Sequence, residues 1–302
     1  VPPFMISPLA LESLQSVFGK SRRRRSKSFD SPFLSFQPFL HSPAIAMSAR
    51  YARRLFWILG SMAVCLSAGF FSPASVRAQA TVGATALVHG LQWDLHEMTI
   101  GQVKQMVQAT GFISRAEREG GGEVYEAGWT KKPGWTWRTP FGVPALDREP
   151  AVHLTFDEAQ SICQFFGKRL PNDREWTQAA YLEQRPAPPA GFISGRRYPY
   201  PNGDSASASH CLSGCGNYRG VAPAGALTRG VGHVQVMTTP SGVNGLYEMG
   251  GNVWEWVDTG LSNERVTRSS SWWYGPERQR ESDVATKPRD TRVVYIGFRC
   301  VR

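Results

Sequence analysis

The sequence predicts a mixed α+β fold of one domain, rich in loops and poor in long elements. Three observations lead there. Helix-start chemistry occurs at only three places; apolar runs of strand character are short; and Gly, Pro, Asn and Ser punctuate most of the rest. With 10 Trp and 30 Gly in 302 residues, the chain suits an irregular fold built around aromatic packing.

The elements follow in order. Thr99-Ile-Gly-Gln102 opens a helix with a Thr N-cap and Gln at the third position. Ile100, Val103, Met106 and Val107 then line one face, and Gly111 closes it. Thr155-Phe-Asp-Glu158 repeats the device, with Ala159, Ile162, Cys163 and Phe166 on the buried side and Gly167 after it. Asn172-Asp-Arg-Glu175 begins a third helix through Trp176, Ala179 and Ala180. Residues 120–150, Pro186–Pro189 and Ser205–Ser209 read as loops, and short strands are expected at Val266–Trp273 and Arg292–Val301.

The N-terminal 80 residues read as material outside the folded domain. Residues 47–80 have the form of an export signal: Met47, a basic start at Arg50, Arg53 and Arg54, an apolar run from Leu55 to Leu66, and Ala78-Gln79-Ala80 for cleavage. The run is too short for a permanent membrane anchor. Arg53-Arg54-Leu55-Phe56 also fits a twin-arginine signal, so the export route stays open. Residues 1–46 read as a disordered or non-translated extension, its Arg22–Arg25 run included. The first 80 residues carry ten Lys/Arg against two acids, which leaves residues 81–302 near +2 of the whole chain's +10. Nucleic acid is therefore not expected as a partner. The expected location is exported, periplasmic or secreted, and four cysteines (Cys163, Cys211, Cys215, Cys300) in such a compartment favour disulfides.

The most specific stretch is Gly245-Leu-Tyr-Glu-Met-Gly-Gly-Asn-Val-Trp-Glu-Trp256. It resembles the G-L-Y-D-M-x-G-N-V-W-E-W signature of the formylglycine-generating enzyme (sulfatase-modifying factor) family. Further blocks resemble that family in order: Trp93–Thr99, Ala109–Glu117, Trp135–Arg138, Pro150–Pro171 with Glu175-Trp176, Tyr198–Asp204, Arg265–Trp272 and Ile296–Cys300. The resemblance implies a C-type-lectin-like α+β fold with little regular secondary structure. It also implies a Cys163–Cys300 disulfide, leaving Cys211 and Cys215 to staple a short loop. The alternative, free buried thiols, stays open at this stage, and a C-x-x-x-C alone is weak support for zinc.

For function the resemblance divides. Family members that make formylglycine hold Cu(I) between two thiolates, soft ligands for a soft ion. The matching positions here are Tyr274 and Gln279, so copper is not expected, and the glycine pair before Ser271 has become Ser269-Ser270. Trp254 and Ser271 match residues lining the family's substrate groove, and Tyr274 and Glu277 complete the candidate catalytic set. For each, plain core packing or a turn hydrogen bond is the competing reading. A structural calcium site is implied at Glu248, Gly251, Val253 and Glu255, with a second at Asn217 that lacks an evident acidic partner. His89, His96, His153, His210 and His233 show no i, i+4 ligand spacing and read as surface or hydrogen-bonded residues. Two functions stay open: an atypical oxidoreductase acting on a peptide or small molecule without the two-cysteine copper site, or a non-catalytic binding or assembly module.

Overall fold

The computed structural model describes residues 83–302, apart from 217, 221, 224, 261 and 262. The expected signal segment and extension lie outside the described residues, as does Asn217. All three expected helices form where their capping chemistry places them: α1 (Ile100–Thr110), α3 (Phe156–Phe165) and α4 (Asp173–Tyr181). A fourth, α2 (Arg115–Arg118), starts from a further capping box of Ser114 and Glu117. In each box the N-cap side chain accepts the backbone N–H of the third helical residue, whose own side chain accepts the cap N–H. Gly111 closes α1 with φ +71°, a left-handed conformation that favours glycine. Replacing Thr155 by Ala removes one such bond at a buried cap. It is expected to cost about 1 kcal/mol in urea unfolding; an unchanged midpoint would assign the cap to Glu158 alone.

The strands are short. β1 (Thr85–Val88) and β2 (Leu91–Asp94) form one antiparallel hairpin, β3 (Gly121–Tyr125) and β4 (Trp129–Pro133) another. The central sheet has the order β7-β6-β5-β8, from Ala285–Pro288, Glu264–Arg268, Trp254–Val257 and Ile296–Gly297. Its pairs are antiparallel except β5 with β8. Three expectations change. The 120–150 stretch, read as loop, contains the β3–β4 hairpin. Its strands show little period-2 apolar pattern because β4 is mostly exposed and β3 begins with two glycines. Gly122 is required there: a Cβ would lie 2.0 Å from His153 Nδ1. The strand expected over Val266–Trp273 stops at Arg268, because Ser269 takes φ +82° and turns the chain out of the ladder. Likewise Arg292–Val301 keeps only Ile296–Gly297 as strand, the rest making single bridges such as Trp93 with Val301.

Two apolar clusters share the interior. The larger gathers Trp137, Phe156, Trp256, Trp272 and Phe298, and the smaller Trp93, Trp176, Tyr181 and Val257. Between them run buried polar ties. Lys168 pairs with Asp94, both 2% exposed, and Asp94 Oδ2 also accepts Cys300 N at 3.1 Å. Cys163 of α3 is bonded to Cys300, which fastens the C-terminus to the helix layer. Tyr181 at the end of α4 donates to the carbonyl of Gln279 at 2.9 Å, which orients the loop described next.

Candidate functional site

After β6 the chain makes a compact turn through three buried serines. Ser269 holds a positive φ that a non-glycine residue adopts at a cost of about 1–2 kcal/mol. Its hydroxyl offsets part of this by accepting Gly251 N at 3.0 Å. Ser271 accepts Trp273 N on its hydroxyl at 3.2 Å and Tyr274 N on its carbonyl at 3.1 Å. Its side chain is fully buried, so in this state it shapes the turn rather than facing a ligand.

The turn delivers Tyr274 to a connected aromatic cluster. Its ring centroid lies 5.8 Å from Trp254 and 6.1 Å from Tyr295, and Trp273 lies 5.6 Å from Tyr295. Two guanidiniums rest on these faces: Arg278 is 5.7 Å from the Trp254 ring and 5.6 Å from Tyr274, and Arg229 is 4.4 Å from Trp273. Trp254 is 3% exposed, Tyr274 half-buried and Glu277 exposed on a short 3-10 turn (Pro276–Gln279). The structure thus brings Trp254 and Tyr274 into contact, puts Ser271 beneath them and leaves Glu277 at the rim. Sequence reading missed Tyr295, Arg278 and Arg229, which lie far apart in the chain. Burial raises the Tyr274 phenol above its ordinary value, against Arg278 and a hydrogen bond from Tyr295. Burial and Tyr274 raise Tyr295 as well. Both are neutral hydroxyls at physiological pH; Tyr295 is buried and bonds Tyr274, which leaves the half-buried Tyr274 as the one within reach of a ligand.

The Cys211–Cys215 disulfide forms as expected, and its loop sits against this site. Leu212 N donates to Tyr274 O at 2.9 Å, and Gln279 Nε2 donates to Cys215 Sγ at 3.3 Å. All four cysteines among the described residues are in disulfides, so Tyr274 and Gln279 have no thiolate neighbour able to hold Cu(I). The residues present do not fit the copper centre.

The implied calcium ligands lie around a buried acidic group. Both oxygens of Glu255 receive Arg299, at 2.7–3.0 Å, and one also accepts Trp176 Nε1 at 2.8 Å. Glu248 accepts Met237 N at 3.0 Å, and Thr239 N and Oγ1 at 3.1 and 3.0 Å. Gly251 O accepts the Ser269 hydroxyl at 3.3 Å, and Val253 immediately precedes β5. A fully buried guanidinium occupies the electrostatic role a cation would have, so these side chains as arranged do not fit Ca²⁺. Glu97 joins the group, accepting Asn252 Nδ2 at 2.8 Å and Val253 N at 3.2 Å. Burial, then the charges of Glu248 and Glu255, raise the Glu97 carboxyl well above its ordinary range; Glu248 is raised mainly by burial. Among the described residues no group of three His, Cys, Asp or Glu is placed to hold a metal.

Three histidines are buried. His153 Nε2 meets Pro140 O at 3.0 Å, and burial pushes its pKa down to about 4. His210 Nε2 meets Gly232 O at 2.8 Å, and His233 Nε2 meets Glu149 Oε2 at 2.9 Å. Glu149 and Phe141 also line a mainly apolar cavity of about 390 Å³ with Pro144, Ala222 and Pro223. The Phe141 ring lies 6.0 Å from Trp272, whose ring is 5.1 Å from Trp273 of the aromatic cluster.

A small irregular α+β scaffold with a serine turn, a packed aromatic cluster and an Arg–Glu core defines a class of fold, and sequence similarity identifies it. The chain belongs to the sulfatase-modifying factor enzyme 1-like domain family, whose model matches residues 60–302. It is 28% identical over 265 residues to the formylglycine-generating enzyme of Thermomonospora curvata, covering 68% of this chain and 80% of that one. It is also 28% identical over 185 residues to the inactive C-alpha-formylglycine-generating enzyme 2 of Bos taurus, covering 54% and 55%. The structure of PvdO from Pseudomonas aeruginosa shares the fold, with a TM-score of 0.50 and 18% identity over 70% of this chain and 80% of that one.

Proposed function

We propose that this chain is an exported, atypical oxidoreductase of its family that works without the two-cysteine copper site. The observation that carries the reading is the Trp254–Tyr274–Tyr295 cluster under Arg278. It presents the half-buried Tyr274 on a packed aromatic cluster while Tyr274 and Gln279 stand at the thiolate positions. Such a surface suits a peptide segment or a planar molecule: the Tyr274 ring supplies contact area and its neutral phenol a hydrogen bond. Tyr274 is assigned to ligand contact, Trp254 and Ser271 to holding it in place, and Glu277 to the rim. Export is supported by two disulfides in the described domain. Among the described residues no helix is long and apolar enough to cross a membrane.

A second reading, a binding or assembly module, is favoured by the burial of Ser271 and Trp254. A relative named as inactive is compatible with it. The test separates the two. Oxidised and copper-chelated protein is incubated with a cysteine- and tyrosine-containing peptide library, and products lacking two hydrogens are sought by mass spectrometry. Turnover that survives chelation and falls at least about tenfold in Tyr274→Phe, equivalent to about 1.4 kcal/mol of barrier, is expected. Copper-dependent turnover would sink the proposal, and binding without any oxidised product would establish the module.

A further inference from the structure

We infer that the Cys211–Cys215 disulfide is a thiol–disulfide exchange centre, accepting electrons from a cysteine-bearing peptide held on the Tyr274 cluster. This rests on the oxidoreductase reading and supplies its redox group.

Four observations converge. The disulfide lies at the candidate site, since Leu212 between its cysteines donates to Tyr274 O at 2.9 Å. Its two sulfurs differ in access: Cys211 is buried and Cys215 partly exposed, the asymmetry an exchange reaction requires. Cys215 Sγ has polar donors around it. Gln279 Nε2 donates at 3.3 Å, and the Ser209 hydroxyl, which also reaches Ala206 O at 2.7 Å, lies 3.2 Å away. Hydrogen bonds of this kind favour a thiolate over a thiol. Finally, a sequence separation of 4 closes less chain entropy than the separation of 137 in the other disulfide, so of the two bonds this one opens at the smaller cost to the fold.

The chemistry balances without a metal. A substrate thiolate attacks Cys215 Sγ, forming a substrate–Cys215 bond and breaking the Cys211–Cys215 bond. The electron pair leaves on Cys211, which takes up a proton. A second substrate thiolate attacks the substrate sulfur of this mixed disulfide and expels the Cys215 thiolate onto the Gln279 and Ser209 donors. The substrate, entering as two thiolates, has lost two electrons as a new disulfide, and the protein has gained them as a Cys211 thiol and a Cys215 thiolate. An external small-molecule disulfide restores the enzyme by the same exchange in reverse.

The test uses the full chain and a model peptide bearing two cysteines. Oxidised wild type should convert about one equivalent of reduced peptide to its disulfide, and Gln279→Leu should do so about tenfold more slowly with an unchanged unfolding midpoint. In Cys211→Ser, the oxidised peptide should be trapped as a mixed disulfide on Cys215. The pH profile of Cys215 alkylation should then sit below the ordinary thiol value of about 8.5 and move up when Gln279→Leu is added. A wild-type disulfide that the peptide reduces only after denaturation would overturn the inference, as would an alkylation profile unmoved by Gln279→Leu. Neither readout uses Tyr274→Phe or chelation, so a failure of this inference is told apart from a failure of the oxidoreductase reading.

Discussion

Exchanging Arg299 for Met is expected to destabilise the domain by about 3–5 kcal/mol near neutral pH, the range for breaking a buried ion pair from one side. Arg299 and Glu255 are both fully buried. The guanidinium gives Nε and one terminal nitrogen to Glu255, its other protons reaching Tyr247 O at 2.7 Å and the carbonyls of Asp94 and Leu95 at 3.4 and 3.3 Å. One side chain thus ties β5 to the end of β2 and to the loop before β5. Methionine fills much of the volume but leaves Glu255, Glu97 and Glu248 without their cation and takes the guanidinium donor from the carbonyls of Tyr247, Asp94 and Leu95, of which Leu95 O keeps Tyr247 N at 2.8 Å. Urea unfolding of Arg299→Met against wild type measures the difference, and a loss below about 1 kcal/mol would show that the carboxylates had found other compensation.

The pH dependence of that loss has a definite sign. Glu97 is raised in the folded protein, so between the ordinary carboxyl value of about 4.3 and its folded value the native state binds more protons than the unfolded chain. Its contribution is fully present below that ordinary value and falls away as pH rises through the folded one. Removing Arg299 takes away a charge that lowers both Glu97 and Glu248. The variant should therefore recover as pH falls and Glu97 and Glu248 take up protons, and the gap to wild type should narrow. A gap independent of pH would assign the loss to the carbonyl contacts and packing instead.

What the sequence made legible was local chemistry. The Thr99, Thr155 and Asn172 capping boxes lie within four residues of chain, and all three start helices at the expected residue. The blocks carrying the family resemblance proved to be mutual supports: Asp94 with Lys168, Glu97 with Asn252, Trp176 with Glu255, and Glu255 with Arg299. Such ties explain why the fold could be read from them and the activity could not. The candidate site is assembled by contacts between distant positions, as when Gln279 meets Cys215 or Tyr274 meets Tyr295, and no periodicity announces those. The β3–β4 hairpin escaped for a related reason, since Gly122 is dictated by His153 across space and not by its own strand.

The second large effect is expected from removing the Cys163–Cys300 bond. The two residues are 137 apart, and both are fully buried. The chain-entropy model gives about 5 kcal/mol for a loop of that length, against about 2 kcal/mol for the Cys211–Cys215 loop. Total stability of a domain is typically about 5–15 kcal/mol, so Cys163→Ala with Cys300→Ala should leave a protein at the edge of folding at ordinary temperature. The site lies downstream of the same tie. Cys300 N binds Asp94, which holds Lys168, and neighbouring Arg299 holds Glu255 one residue from Trp254. Slackening at the C-terminus should therefore lower ligand affinity at the aromatic cluster before the domain unfolds. Urea midpoints with peptide binding followed by tryptophan fluorescence measure both. A double variant losing less than about 2 kcal/mol would mean that the Asp94 and Arg299 ties alone hold the C-terminus, and that the disulfide is redundant with them.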